Sequence, residues 1–107
     1  MEISFKKRGK FTILDAGNDS GLWGEPGRIR EVLKSLIDNN EHHICVDLSH
    51  APVVDSGVLG ALVEYHTKVS RFGGELVILN AHNFLLKAMM RTQLHRVMRF
   101  VENEAQL

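Results

Sequence analysis

Asp55-Ser56-Gly57 stands where a strand pattern gives way to a helical one, and a serine at such a junction can carry chemistry. The first turn of a helix has backbone N–H donors without internal partners and the positive end of the helix dipole. A phosphate on the Ser56 hydroxyl would be well received there, and it would change the local surface charge abruptly. Asp and Ser are also preferred helix caps, so a purely structural role for Asp55 or Ser56 explains the same residues. Either role requires a strand that ends near Leu48, a loop through Pro52 and a helix that begins near Ser56.

The elements that must position this junction are legible from periodicity. Ile3 and Phe5 alternate with polar neighbours, as do Phe11 and Ile13. With Arg8-Gly9-Lys10 between them they predict an N-terminal hairpin. Gly17 to Gly21 is a loop by composition. After Pro26, the residues Ile29, Val32, Leu33, Leu36 and Ile37 fall on one helical face, and Asn39-Asn40 ends that helix. Ile44 to Leu48 and Leu76 to Leu79 are short apolar runs of the kind buried in a parallel sheet. Between them, Val58, Leu59, Leu62, Val69 and Phe72 form the core face of a second helix, which Gly73-Gly74 stops. Asn83 is placed to cap a third helix carrying Leu85, Leu86, Met89 and Met90, and Val97 to Val101 forms a last strand. The order is a β-hairpin followed by αβαβαβ with right-handed parallel crossovers, and a short tail runs from Glu102 to Leu107. Residues 1–107 make one α/β domain.

Other chemistries find little support. Gly21, Gly24 and Gly27 recur every third residue but match no dinucleotide or phosphate-loop pattern. Trp23, in the same loop, serves either as a partner anchor or as a lid over the core. Among six histidines, His42 and His43 point apart on a strand, while His50, His66, His82 and His95 are scattered, so no metal site is expected. Ser56 lacks the elbow of a serine hydrolase, and the adjacent Asp55 suits a cap better than a triad. No cofactor is implied. Lys87, Arg91, Arg96 and Arg99 make the C-terminal third basic, which reads as a solvated face, or as a receptor for an acidic partner if it lies near Ser56.

Composition narrows the setting. The chain is 44% hydrophobic and 24% charged, with thirteen basic and thirteen acidic residues, so no global charge points to nucleic acid or an anionic membrane. Cys45 is alone and sits in an apolar strand pattern, as expected of a small buried residue in a reducing compartment. No run reaches the ~18 apolar residues of a transmembrane helix, and the N-terminus lacks the apolar stretch of a signal peptide. A cytoplasmic location is expected.

Val46 to Gly60 resembles the signature of the STAS domain, shared by sulphate transporters and bacterial anti-sigma factor antagonists. That signature runs roughly DLS, five residues, then DSSGLG. Here it stands as Asp47-Leu48-Ser49, five residues, then Asp55-Ser56-Gly57-Val58-Leu59-Gly60, with Gly57 and Val58 replacing the second Ser and the Gly. The likeness continues through Gly73-Gly74-Glu75-Leu76, Asn80 and Thr92-Gln93-Leu94, where the family commonly has T-G-L, and it involves about two-thirds of the chain. The turn usual in the family after the second strand is replaced by a longer loop, Gly17 to Gly27. The short tail implies a stunted or absent C-terminal helix.

The resemblance implies a mixed β-sheet, an N-terminal hairpin plus parallel strands, with helices mainly on one face. It implies a non-enzymatic protein that binds an anti-sigma factor or serine protein kinase through Asp55, Ser56, Gly57, Val58 and Leu59. Ser56 is then the phosphorylated residue, and the unphosphorylated form is the one that binds. A second role within the family is that of a structural subunit in a larger STAS-containing assembly, a stress-sensing complex or a lipid-transport ATPase complex, with Ser56 only a cap. A small hydrolase or nucleotide-dependent enzyme is a third reading, and it lacks a base, a phosphate loop and a metal site.

Overall fold

Ile44, Cys45 and Val46 are wholly buried, as are Leu76, Val77 and Ile78, so both faces of these strands are covered, as their unbroken apolar runs require. The computed structural model describes residues 3–15, 23–51, 54, 56–80, 91, 93 and 96–107. Within them, β1 (Ser4–Arg8) and β2 (Phe11–Asp15) form an antiparallel hairpin. The strands β3 (His43–Asp47), β4 (Glu75–Leu79) and β5 (Arg99–Val101) follow in parallel, giving a five-stranded sheet in sequence order. The mixed sheet expected from the sequence is the one observed. The expected loop at Gly17 to Gly21 and the expected third helix from Asn83 to Met90 lie outside the described residues.

Helix α1 (Pro26–Asp38) begins with proline in its first turn and buries Ile29 and Leu33. It ends as Asn39-Asn40 predicts. Asn40 takes a φ of 62°, its N–H donates to the Ile37 carbonyl, and the Glu41 N–H reaches back to that of Leu36. Helix α2 (Ser56–Ser70) closes in the same way around Gly73, whose φ of 77° suits a residue without Cβ. Gly74 then passes so close to β3 that a Cβ would overlap the His42 carbonyl.

Both helices pack on one face of the sheet, over Leu14, Ile44, Val46, Leu48, Leu76 and Ile78. Trp23 is wholly buried in this layer, so of its two roles the structure selects the lid over the core. Arg30 and Glu64 join the helices outside it at 3.1 Å. The opposite face gathers Phe11, Ile13, Cys45, Val77, Leu79 and Val101, with Leu107 packed against them. Past β5 the chain forms a single 3-10 turn, Glu104–Gln106, capped reciprocally by Asn103 and Gln106. Glu104 pairs with Lys6 at 2.6 Å and Arg8 at 3.8 Å, and Arg99 donates to the Gln106 carbonyl at 2.7 Å.

Two expectations need correction. Phe72 is 62% exposed rather than core, because it falls in the capping turn beyond the last helical residue and stacks on His42 instead. The last strand begins at Arg99, and Val97 is exposed ahead of it. Tyr65, which the spacing of the second helix did not single out, is buried in the core beneath the helices.

Candidate functional site at the start of α2

The parallel strands β3 and β4 end side by side, and the chain leaves β3 there to reach α2. Leu48 continues the ladder by donating its N–H to the Leu79 carbonyl, and the Ala51 N–H closes a turn onto the Leu48 carbonyl. The Oδ1 of Asp47 accepts from the Ser49 N–H at 2.9 Å and from the Ser49 hydroxyl. The Nδ2 of Asn80, just past β4, donates to the same hydroxyl at 3.2 Å. Asn80 has a φ of 57°, and its own N–H donates to the Val101 carbonyl, so the rim is linked through to β5. The three polar residues Asp47, Ser49 and Asn80 thus hold the loop that delivers the chain to α2.

Ser56 is exposed and opens α2, and the described first turn carries no acidic residue, so the positive end of that helix dipole faces outward there. Gly57 and Leu59 are half-buried, and Val54 and Leu59 pack against the core. Val58 is wholly buried, its side chain anchoring the first turn in the core. Asp55 lies outside the described residues. The core residues Val58, Ala61, Leu62, Tyr65 and Val69 fix the rotation of the helix, and that rotation leaves Ser56 and Gly60 at the surface.

Among the basic residues of the C-terminal third, Arg99 is directed to the other end of the sheet from Ser56. Arg99 is turned to Glu75, at 2.9 Å, beside the opposite end of β4; Arg91 and Arg96 are exposed, and Lys87 lies outside the described residues. Three of the described histidines have local partners. His42 stacks on Phe72, His43 meets the Phe11 ring edge-on, and the Nδ1 of His66 accepts the Leu76 N–H at 3.1 Å. Among the described residues no group of three or more His, Cys, Asp or Glu side chains could hold a metal ion. Burial pushes the Cys45 thiol up to about 12, with Asp47 adding to the shift, so it is no nucleophile. No described helix is long and apolar enough to cross a membrane.

The network of Asp47, Ser49 and Asn80 was not read from residue types alone. Its signal was there as three polar residues placed where apolar strands stop, but their convergence depends on β3 and β4 being neighbours.

Comparison with known proteins agrees with this layout. The family model of the STAS domain matches residues 25–107. No curated protein matches the chain. Among solved structures, a Thermotoga maritima protein described as a candidate anti-sigma factor antagonist superposes with a TM-score of 0.82 at 18% identity, covering 97% of this chain and 89% of that one. The phosphorylated form of the Bacillus cell fate determinant SpoIIAA gives a TM-score of 0.68 at 14% identity, over 98% of this chain and 95% of that one. A serine-to-glutamate variant of Moorella thermoacetica RsbS gives 0.74 at 17%, over 98% and 90%. At these identities the likeness is one of fold.

Proposed function

The chain belongs to the STAS domain family, and on that premise we propose that it is a non-enzymatic regulatory module that binds an anti-sigma factor or serine protein kinase, switched by phosphorylation of Ser56. The observation that supports this reading is the position of Ser56: exposed, first in α2, on a helix whose next turn is locked into the core by Val58 and Leu62. A partner kinase can reach the hydroxyl without unfolding anything. The contact surface is formed by Ser56, Gly57, Leu59 and Gly60, with Asp55 preceding them.

The switch is electrostatic. A phosphate adds about 1.5–2 negative charges and three acceptor oxygens. The helix terminus accommodates it in the free protein, so the fold is retained. Against a docked partner the same group must be desolvated beside the Asp55 carboxylate, and a penalty of ~3 kcal/mol would lower affinity by roughly two decades. The buried, unreactive Cys45 suits the bacterial cytoplasm, where such a partner resides.

The test is a calorimetric titration of the co-purifying kinase with wild-type protein, Ser56→Ala and Ser56→Glu. Wild type and Ser56→Ala should bind alike, and Ser56→Glu about a hundredfold more weakly. Equal affinity for all three, together with Ser56 found unmodified by mass spectrometry of protein from its native cell, would instead assign the chain to a permanent STAS-containing assembly.

A further inference from the structure

The strand order leaves β1 outermost, with one side of its backbone unpaired among the described residues. Open edges of this kind add strands from other chains unless they are blunted or covered. All five residues of β1 are exposed, and Phe5 is 50% exposed, a large apolar side chain with half its surface in water. Phe5 pairs in register with Leu14 and so points to the helical side of the sheet. There Phe5 of the strand and Ile3 just before it line, with Val32 and Leu36 of α1, a groove of about 470 Å³ that Glu31 also borders.

The charges on the edge are one-sided. Lys6, Lys7, Arg8 and Lys10 lie in one run, and the acids that meet them are Glu104, shared by Lys6 and Arg8, and Glu41, on Lys7. Lys6 and Arg8 point away from the groove, and the side chains of all three paired cations remain more than half exposed. Lys10 makes no ion pair among the described residues.

From this geometry we propose that β1 is a strand-addition site for an extended segment of a partner protein that alternates apolar and acidic residues. Its backbone completes the open edge. Its apolar side chains enter the groove over Phe5, Ile3, Val32 and Leu36, where Glu31 repels a carboxylate. Its acidic side chains fall on the opposite face, beside Lys6 and Arg8. The recognition is main-chain hydrogen bonding for affinity and alternate side chains for specificity. A second copy of this chain is disfavoured, because two β1 edges would set one basic run against the other. The site shares no residue with the start of α2 and stands independently of the switch at Ser56.

The probe is a capped peptide of about nine residues alternating valine and glutamate, a length matched to a strand and its flanks. Titrated into the ¹⁵N-labelled full chain, it should shift the amides of Ser4–Arg8, Val32 and Leu36 and slow hydrogen exchange along β1. Replacing its glutamates by lysines should weaken binding by about tenfold or more. Phe5→Ser, at a half-exposed position that leaves the thermal transition in place, should weaken the acidic peptide by a similar factor. Shifts that avoid β1, equal binding of the acidic and basic peptides, or dimerisation of the free protein through β1 would overturn the proposal.

Discussion

Asp47 and Ser49 are joined twice, the Oδ1 of the aspartate accepting both the backbone N–H and the hydroxyl of the serine two residues on. Asn80 completes the link from the neighbouring strand by donating to that hydroxyl. The first half of the family signature is therefore a bracket for the loop, and Ser56 lies beyond it on the next element. Asp47→Ala should cost about 1–2 kcal/mol, since it leaves the Ser49 donors to solvent and frees the turn. Urea unfolding monitored by circular dichroism measures the loss, and the m-value should stay constant.

Gly74→Ala should be among the most damaging single-methyl changes. The added Cβ meets the His42 carbonyl oxygen, which also accepts the Glu75 N–H at 3.0 Å, so relief must separate β3 from β4 at its first ladder bond. A cost of about 3 kcal/mol or more is expected, in the range of overpacking with backbone displacement. Gly60→Ala, where nothing lies within contact distance and the helix favours alanine, should stabilise by about 0.5–1 kcal/mol.

Gln93 has a φ of 62°, where the resemblance places a glycine in its T-G-L triplet. A residue with Cβ is strained in that region by roughly 1 kcal/mol. Gln93→Gly should therefore raise stability by up to about 1 kcal/mol, less the extra freedom that glycine has in the unfolded chain. Gln93→Val should lower it by more, because branching at Cβ deepens the clash. Thermal midpoints of the two variants would separate in opposite directions from wild type.

Cys45 should be silent toward alkylation in the folded state. With its thiol pushed up to about 12, about one molecule in ten thousand carries a thiolate at pH 8, and the sulfur is wholly buried as well. Iodoacetamide labelling at pH 8 should be slow in buffer and should rise in step with the unfolded fraction as urea is added. Fast labelling of native protein would contradict the buried position.

Glu41 should contribute a pH-dependent increment. Hydrogen bonds from Lys7 at 2.8 Å and from the Thr12 hydroxyl at 2.7 Å hold its carboxyl below the usual carboxylate range. Because the folded value is the lower one, this stabilisation is full above the unfolded value of 4.5 and is lost as pH falls through the folded one. Glu41→Gln should thus be less stable than wild type at pH 7, by under about 1 kcal/mol for so exposed a pair, and should match it in strong acid.

Particular residues show why part of this protein was readable in advance. Ile29 and Leu33 lie one helical turn apart on the apolar face, and both are buried. Ile44 to Val46 and Leu76 to Ile78 are apolar without alternation, and both strands are covered on two sides. Phe72 obeyed the same spacing rule and failed, because periodicity carries no information on where the capping turn lifts the chain away from the sheet. Trp23 offered two roles that nothing local could separate. Val58 read as a contact residue by its place in a signature, while its burial follows from the rotation of α2.

The order of hairpin, helices and parallel strands, and the placing of a serine at a strand-to-helix junction, are local properties. They follow from period, turn chemistry and caps, each settled within a few residues, and so the amino-acid sequence alone determined them. The meeting of Ser49 with Asn80, the folding of Glu104 over Lys6 and Arg8, and the outermost place of β1 in the sheet involve residues far apart in the chain. Only the tertiary structure decided these, because which distant groups become neighbours depends on how the whole sheet pairs and which of its faces each element covers.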